Sequence, residues 1–340
     1  MKPVIPLLLA SLVTLFAAPA KAQEVTAETE ACVLAYYLEG SADLTLAEIR
    51  ERCGAAQGPA TAAPVIVDSP VGEDEPVVAR RLAQERLLEG RKWTILPHRP
   101  TFILPYTYNT SFDSGFYADL GFPNSDSLES YEAVFQVSLK APLWYGVFGD
   151  RGDAYFAYTS RSWWQIYDSA SAPFRETNYE PEFFLRFEND WEILGFRNSV
   201  NSVGIVHQSN GRSEPLSRSW NRVFASFLFE KDDFSFRVKP WYRLPESEED
   251  DDNPNIERWL GYADYSVAWA PGDHRFFANV RNNLKSWDEN KGSVEFTYSY
   301  PAWGGLRWYV QWFNGYGDGL IYYNEHSNRI GVGISLNDVL

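Results

Sequence analysis

His207, Ser209 and Asn221 are the residues of this chain whose types and spacing could do covalent chemistry. His207 and Ser209 stand two apart at the end of Val203-Gly204-Ile205-Val206-His207-Gln208-Ser209, which reads as a strand. Side chains on a strand repeat every second residue, so Val203, Ile205, His207 and Ser209 share one face. The chain then crosses a polar loop and returns through Asn221, which shares a face with Val223, Ala225, Phe227 and Phe229. The opposite face of that second strand is Arg222, Phe224, Ser226, Leu228 and Glu230, which carries the charges. All three polar residues therefore lie on an apolar face, where an unpaired polar group is costly. They can pair with one another. Asn221 can accept from Nδ1–H of His207, and Nε2 can take the proton of Ser209 Oγ as the hydroxyl attacks an ester carbonyl. A neutral third member orients the ring but stabilises imidazolium less than a carboxylate would. Gly211, two residues beyond the serine in a turn, can bring its backbone N–H to the developing oxyanion, and a bound cation could add to that.

A His and a Ser two apart on a strand are, in most proteins, a solvated or rim pair; the apolar register sets this pair apart. His98, His274 and His326 have no serine and amide at comparable register and are read as surface residues.

The elements that must position these groups follow from the period of the sequence. From Thr101 onward apolar and polar residues alternate, as in Phe135-Gln136-Val137-Ser138-Leu139-Lys140, Phe234-Ser235-Phe236-Arg237-Val238-Lys239, Val294-Glu295-Phe296-Thr297-Tyr298 and Ile330-Gly331-Val332-Gly333-Ile334. These are strands with one apolar and one polar face, separated by turn clusters such as Gly149-Asp150-Arg151-Gly152 and Pro271-Gly272-Asp273. The spacing allows about ten to fourteen strands. The chain has 13 Trp, 20 Tyr and 22 Phe, more aromatic surface than a soluble core needs. Pairs such as Trp163-Trp164, Trp241-Tyr242, Trp308-Tyr309 and Tyr322-Tyr323 suit the aromatic girdles of an outer-membrane barrel. A net charge of −16 with 30 Lys and Arg excludes a nucleic-acid footprint, which needs a clustered basic face.

Residues 1–22 read as an export signal, with Lys2, an apolar run from Leu7 to Phe16 and an Ala20-Lys21-Ala22 cleavage site before Gln23. No later apolar run is long enough for a helical membrane span, so any span must be made by strands. Residues 23–97 form an aromatic-poor extension, expected in the periplasm, with a helix after Asp43, a Pro/Ala linker from Gly58 to Pro70 and a second short helix within Val77 to Gly90. In an exported chain Cys32 and Cys53 most simply form one disulfide, rather than a two-thiol metal site. Residues 98–340 form the barrel.

His207-Gln208-Ser209-Asn210-Gly211-Arg212-Ser213, together with Ser217-Arg218-Ser219-Trp220-Asn221-Arg222, resembles the active-site region of the Gram-negative outer membrane phospholipase A family. Ser162-Trp163-Trp164-Gln165, Pro173 to Pro181, Lys239-Pro240-Trp241-Tyr242, Asp251-Asp252-Asn253-Pro254 and Leu336-Asn337-Asp338 match in the same order. The resemblance covers about Tyr106 to Leu340. It implies an all-β fold, a twelve-stranded antiparallel transmembrane barrel, with a Ser-His-Asn triad on the outer wall and calcium-dependent pairing of two barrels around a cleft for acyl chains. Residue by residue it implies Ser209 as nucleophile, His207 as base, Asn221 as orienter and Gly211 N–H in the oxyanion hole. The catalytic calcium would be held by Ser217 and the Arg212 carbonyl, with Ser171 of the partner subunit, and a second calcium position by Glu214 and Asp252. Three departures are visible: Glu214 replaces a shorter Asp, Ser160 replaces a Gln that bonds across the dimer, and the loop before Ser171 is one residue shorter. The resemblance implies a calcium-dependent outer-membrane phospholipase acting on phospholipids and lysophospholipids as a homodimer. A non-catalytic pore or scaffold barrel is the rival reading, and the extension could have a periplasmic binding role of its own.

Overall fold

The computed structural model describes residues 75–88, 94–149, 151–169 and 172–338. The export signal, Cys32, Cys53 and Ser171 lie outside the described residues.

Twelve long strands alternate with turns: β1 (Phe102–Asn109), β2 (Tyr131–Trp144), β3 (Asp153–Trp164), β4 (Phe174–Glu188), β5 (Phe196–Ser209), β6 (Ser219–Lys231), β7 (Phe234–Arg243), β8 (Ala263–Trp269), β9 (Arg275–Asn282), β10 (Gly292–Pro301), β11 (Arg307–Tyr316) and β12 (His326–Ser335). Each pairs antiparallel with its neighbours in sequence, and β12 returns to β1 from Arg329↔Asn109 to Ser335↔Phe102, closing the barrel. Closure removes both sheet edges, so no row of backbone donors is left unpaired in the wall. The ladder shifts where proline removes a donor: between Leu104 and Thr107 of β1, around Pro105, and between Pro142 and Trp144 of β2.

The strands alternate as their sequences require. On β12, Ile330 and Val332 face outward while Arg329 is buried; on β8, Tyr265, Val267 and Trp269 face outward while Asp264, Ser266 and Ala268 are buried. Adjacent aromatic pairs are split by the same rule, which corrects the expectation that both members join a girdle. Trp163, Trp241 and Tyr309 point inward and are buried, whereas Tyr242 and Trp308 face out. Tyr322 and Tyr323 are both buried, in the long loop between β11 and β12.

The lumen is filled by charge pairs. Glu182 meets His98, Arg99 and Lys239; Asp264 meets Arg281. Buried charges of this kind are tolerated because each is paired and hydrogen-bonded. His98, expected on the surface, instead faces Glu182, with Nε2 3.0 Å from Oε1 and its ring stacked on Phe184. The reason is that the preceding Leu96–Pro97 pairs with Leu139–Lys140 of β2 and turns His98 inward. Helix α1 (Val77–Arg86) lies against the same lumen. It has no side-chain cap of its own; Glu230 of β6 accepts the Val78 N–H at 3.0 Å and satisfies one of the orphan donors of the first turn. Glu85 near its other end binds Lys140 and Arg186 at 2.8 and 2.6 Å. A cavity of about 320 Å³ remains among these side chains.

One end of the barrel has short turns, such as 232–233 and 302–306; the other has long loops, at 110–130, 210–218, 244–262 and 317–325. At the long-loop end α2 (Ser114–Asp119) and its flanks pack Tyr117, Phe122 and Leu128 against Ile321, Tyr322 and Leu216, the last from the loop that follows Ser209.

An outward residue in mid-wall must tolerate hydrocarbon. Val332→Arg, on the outer face of β12, should therefore destabilise the folded barrel by about 2–4 kcal/mol, measured by denaturant titration of the barrel in phospholipid vesicles. An unchanged midpoint would contradict the assigned register.

Candidate active site

β5 and β6 form one hairpin whose register sets the site. His207 is paired directly with Asn221 and Ser209 with Ser219. Val203, Ile205, Val223 and Phe227 on the same face are exposed, whereas Val206 and Arg222 on the other are 3% and 4% exposed. His207, Ser209 and Asn221 thus lie on the outer apolar wall, as their spacing predicts. On the other side of β5, the pairing with β4 runs from Glu182↔Val206 directly to Tyr179↔Ser209. Pro181 lies in this interval and has no N–H to donate.

Across the hairpin, His207 Nδ1 is 2.9 Å from Asn221 Oδ1. Asn221 Nδ2 donates in turn to Glu246 Oε1 at 3.0 Å. Ser209 sits one strand repeat beyond His207 on the same face; among the described residues no hydrogen bond joins its hydroxyl to the ring. Such contacts are often long before substrate binds and close in the Michaelis complex.

The loop after Ser209 is organised by a buried amide. Asn210 Nδ2 donates to Leu216 O at 2.7 Å, and its Oδ1 accepts from the N–H groups of Arg212 and Arg218 at 3.2 and 3.1 Å. Between these contacts Gly211 adopts φ +65, and a Cβ there would meet Tyr179 Cε2 at 3.1 Å. The position needs glycine both for its conformation and for space. Arg212 sends its guanidinium to the carbonyls of Phe174 and Arg175 at 2.7 and 3.1 Å, fastening the loop to the start of β4.

Oxygen donors collect beside this loop. Ser217 Oγ donates to Asp252 Oδ2 at 2.5 Å. A hydrogen bond to Asp252 also raises the Glu214 carboxyl above its ordinary range, burial and the Asp252 charge acting in the same direction. Asn253 places Asp252 there: fully buried, its Oδ1 accepts the Ser219 N–H at 2.9 Å. Ser217 and Asp252, which the resemblance assigns to different cation positions, are thus hydrogen-bonded to each other. Ser160 lies on the outward face of β3 and pairs with Tyr179, itself the partner of Ser209.

The family model described as phospholipase A1 matches residues 78–336. The chain belongs to the phospholipase A1 family. It is 36% identical to phospholipase A1 of Escherichia coli K12 over 268 residues, which are 78% of this chain and 90% of that protein. It is 36% identical to a putative phospholipase A1 of Neisseria meningitidis over 71% of this chain and 65% of that protein. Among solved structures it superimposes on the outer membrane phospholipase dimer of Salmonella typhi with bound calcium with TM-score 0.70 and 35% identity, covering 75% of this chain and 97% of that one. For outer membrane phospholipase A of Escherichia coli the TM-score is 0.68, with 36% identity and 73% and 100% of the two chains covered. The twelve-stranded antiparallel barrel is that of this family, and the chain is a phospholipase.

Three residues of the site escape a reading of the sequence. Asn210 and Asn253 stand inside the matched motifs without any signal of their hydrogen-bonding task, and Glu246 stands just before an acidic run that reads as solvated. For Gly211 the geometry gives a direct test. Alanine in the left-handed region costs about 1–2 kcal/mol, and here it also presses on Tyr179. Gly211→Ala should leave the heat-modifiable barrel intact while lowering kcat for ester hydrolysis by about ten- to hundredfold; equal kcat would show that the turn is not part of the site.

Proposed function

We propose that this chain is a calcium-dependent, dimerisation-activated phospholipase of the Gram-negative outer membrane. It hydrolyses acyl esters of phospholipids at both glycerol positions (A1 and A2 activity) and of lysophospholipids. Residues 1–22 direct export, the part of the 23–97 extension that precedes α1 lies in the periplasm, and the long loops lie on the outer side. The observation that carries the reading is the 2.9 Å contact between His207 Nδ1 and Asn221 Oδ1 on the apolar outer wall, with Ser209 on the same face. Only a substrate delivered from the lipid phase meets a nucleophile placed there.

In this reading Asn221 holds the His207 ring, leaving Nε2 to take the Ser209 proton as Oγ attacks the acyl carbonyl. His207 then returns the proton to the leaving glycerol oxygen, and a water activated by the same nitrogen hydrolyses the acyl-serine. Gly211 N–H donates to the oxyanion. The oxygen donors fit calcium: Asp252, which raises the Glu214 carboxyl above its ordinary range, offers a carboxylate, and Ser217, bonded to it at 2.5 Å, adds a hydroxyl. Ser217, the Arg212 carbonyl and Asp252 would hold the ion, with Ser171 of the partner subunit. When bound, calcium supplies positive charge beside the developing oxyanion, which compensates for a neutral orienter. A second barrel against this wall would enclose the acyl chains and exclude water. Dependence on it keeps the enzyme silent in its own membrane.

Fatty-acid release from a diacyl phospholipid in mixed micelles tests the whole reading. Wild type with calcium should be active, chelator should abolish activity and dimer together, and Ser209→Ala should lose about four or more orders of magnitude. Asp252→Asn should raise the calcium concentration needed for half-maximal activity. A folded barrel that conducts ions but releases no fatty acid in any arm would overturn the proposal in favour of a pore.

A further inference from the structure

A neutral asparagine as third member has a weakness that a carboxylate lacks. Its amide can turn over, presenting NH2 rather than oxygen to the histidine, and the wrong orientation selects the wrong imidazole tautomer. Asn221 is placed between two neighbours, with Oδ1 2.9 Å from His207 Nδ1 and Nδ2 3.0 Å from Glu246 Oε1. An ionised carboxylate only accepts hydrogen bonds. Glu246 therefore requires the NH2 on its side and the oxygen on the side of His207. That oxygen in turn requires the proton on Nδ1, which leaves Nε2 without a proton and so able to accept one from Ser209.

The placement of Glu246 is built into the backbone. Beyond the last rung of the β6–β7 ladder, Arg222↔Arg243, the Leu244 N–H donates to the Asn221 carbonyl at 2.8 Å, so residues 244–246 run alongside Asn221. The second carboxylate oxygen, Oε2, is buried and has no hydrogen-bond partner among the described residues. Its cation, Arg243, is 3.7 Å away and makes closer contacts with Asp251 at 2.6 Å and Glu257 at 3.3 Å. The Glu246 charge is thus directed largely at the Asn221 amide, where it polarises the carbonyl and makes Oδ1 a better acceptor for a developing imidazolium.

We propose that Glu246 is a positioning residue of this phospholipase: through Asn221 it fixes the His207 tautomer and lends carboxylate character to a neutral triad. The inference rests on the triad reading above, and its test separates the two. Full-length protein in detergent micelles with calcium is assayed on a monoacyl lysophospholipid for kcat and KM, with folding checked by heat-modifiable gel mobility. Glu246→Ala, and the isosteric Glu246→Gln should alanine disturb the loop, are expected to lower kcat about tenfold or more with KM unchanged. Asn221→Asp alone should also lower kcat, because it sets two carboxylates against each other. Asn221→Asp combined with Glu246→Ala should raise kcat above that of Glu246→Ala, since an aspartate needs no partner to fix its orientation. A merely structural glutamate would not reverse the sign of the Asn221→Asp effect. Wild-type kcat in both folded Glu246 variants, or an equal loss from Asn221→Asp in both backgrounds, would overturn the proposal while an inactive Ser209→Ala left the triad standing. Activity retained by Ser209→Ala would remove the triad, and Glu246 with it.

Discussion

Hydrocarbon offers no hydrogen bonds, and the wall of this molecule is shaped by that fact. Every strand is antiparallel to both neighbours, and the last is hydrogen-bonded to the first. The backbone is thereby satisfied within the wall rather than by solvent. Closure also fixes which face of each strand is which. A one-residue slip in any strand would send Arg222, Asp264 or Arg329 to the lipid side and bring the apolar residues in. The buried charge pairs of the lumen are thus a consequence of the same constraint: the face that cannot meet lipid carries the polar residues, and these must pair with one another.

Against this rule the outer wall between β5 and β6 is an exception. It carries His207, Ser209 and Asn221 among exposed valine, isoleucine and phenylalanine. The exception is sustained locally. Direct pairing of His207 with Asn221 puts the imidazole and the amide within hydrogen-bonding distance, and Glu246 occupies the other side of that amide. Residues that break local rules while their polar groups remain satisfied are where function is expected.

The long loops are tied to the wall by buried polar contacts. Arg175 at the start of β4 makes a two-pronged contact with Glu132 of β2 at 2.7 and 2.9 Å, and Glu132 also binds Gln165 at 2.9 Å. Glu176 accepts from Asn178 and from the Ile321 N–H. These contacts join the bases of three loops, and Leu216 of the loop after Ser209 packs into the aromatic cluster above them. These contacts let Asn210 and Asn253 hold Gly211 and Asp252 in place.

Much of this was legible in the residues alone. Two-residue periodicity gives strands, turn clusters bound them, and the shared parity of His207, Ser209 and the apolar residues around them puts the site on the outside; each is a property of neighbours in sequence. Parity also decides that Trp163 and Trp164 cannot both face lipid, a consequence the pairs themselves conceal. Other features depended on distant segments. His98 is turned into the lumen by the pairing of Leu96–Pro97 with β2, and Ser217, Glu214 and Asp252 meet because Asn253 bonds the start of β6. Glu246 reaches Asn221 across 25 residues of chain. Sequence periodicity determines which face a side chain takes, because that depends on the residues beside it. Which groups meet was decided by barrel closure and loop packing, because contacts between remote segments have no local signature.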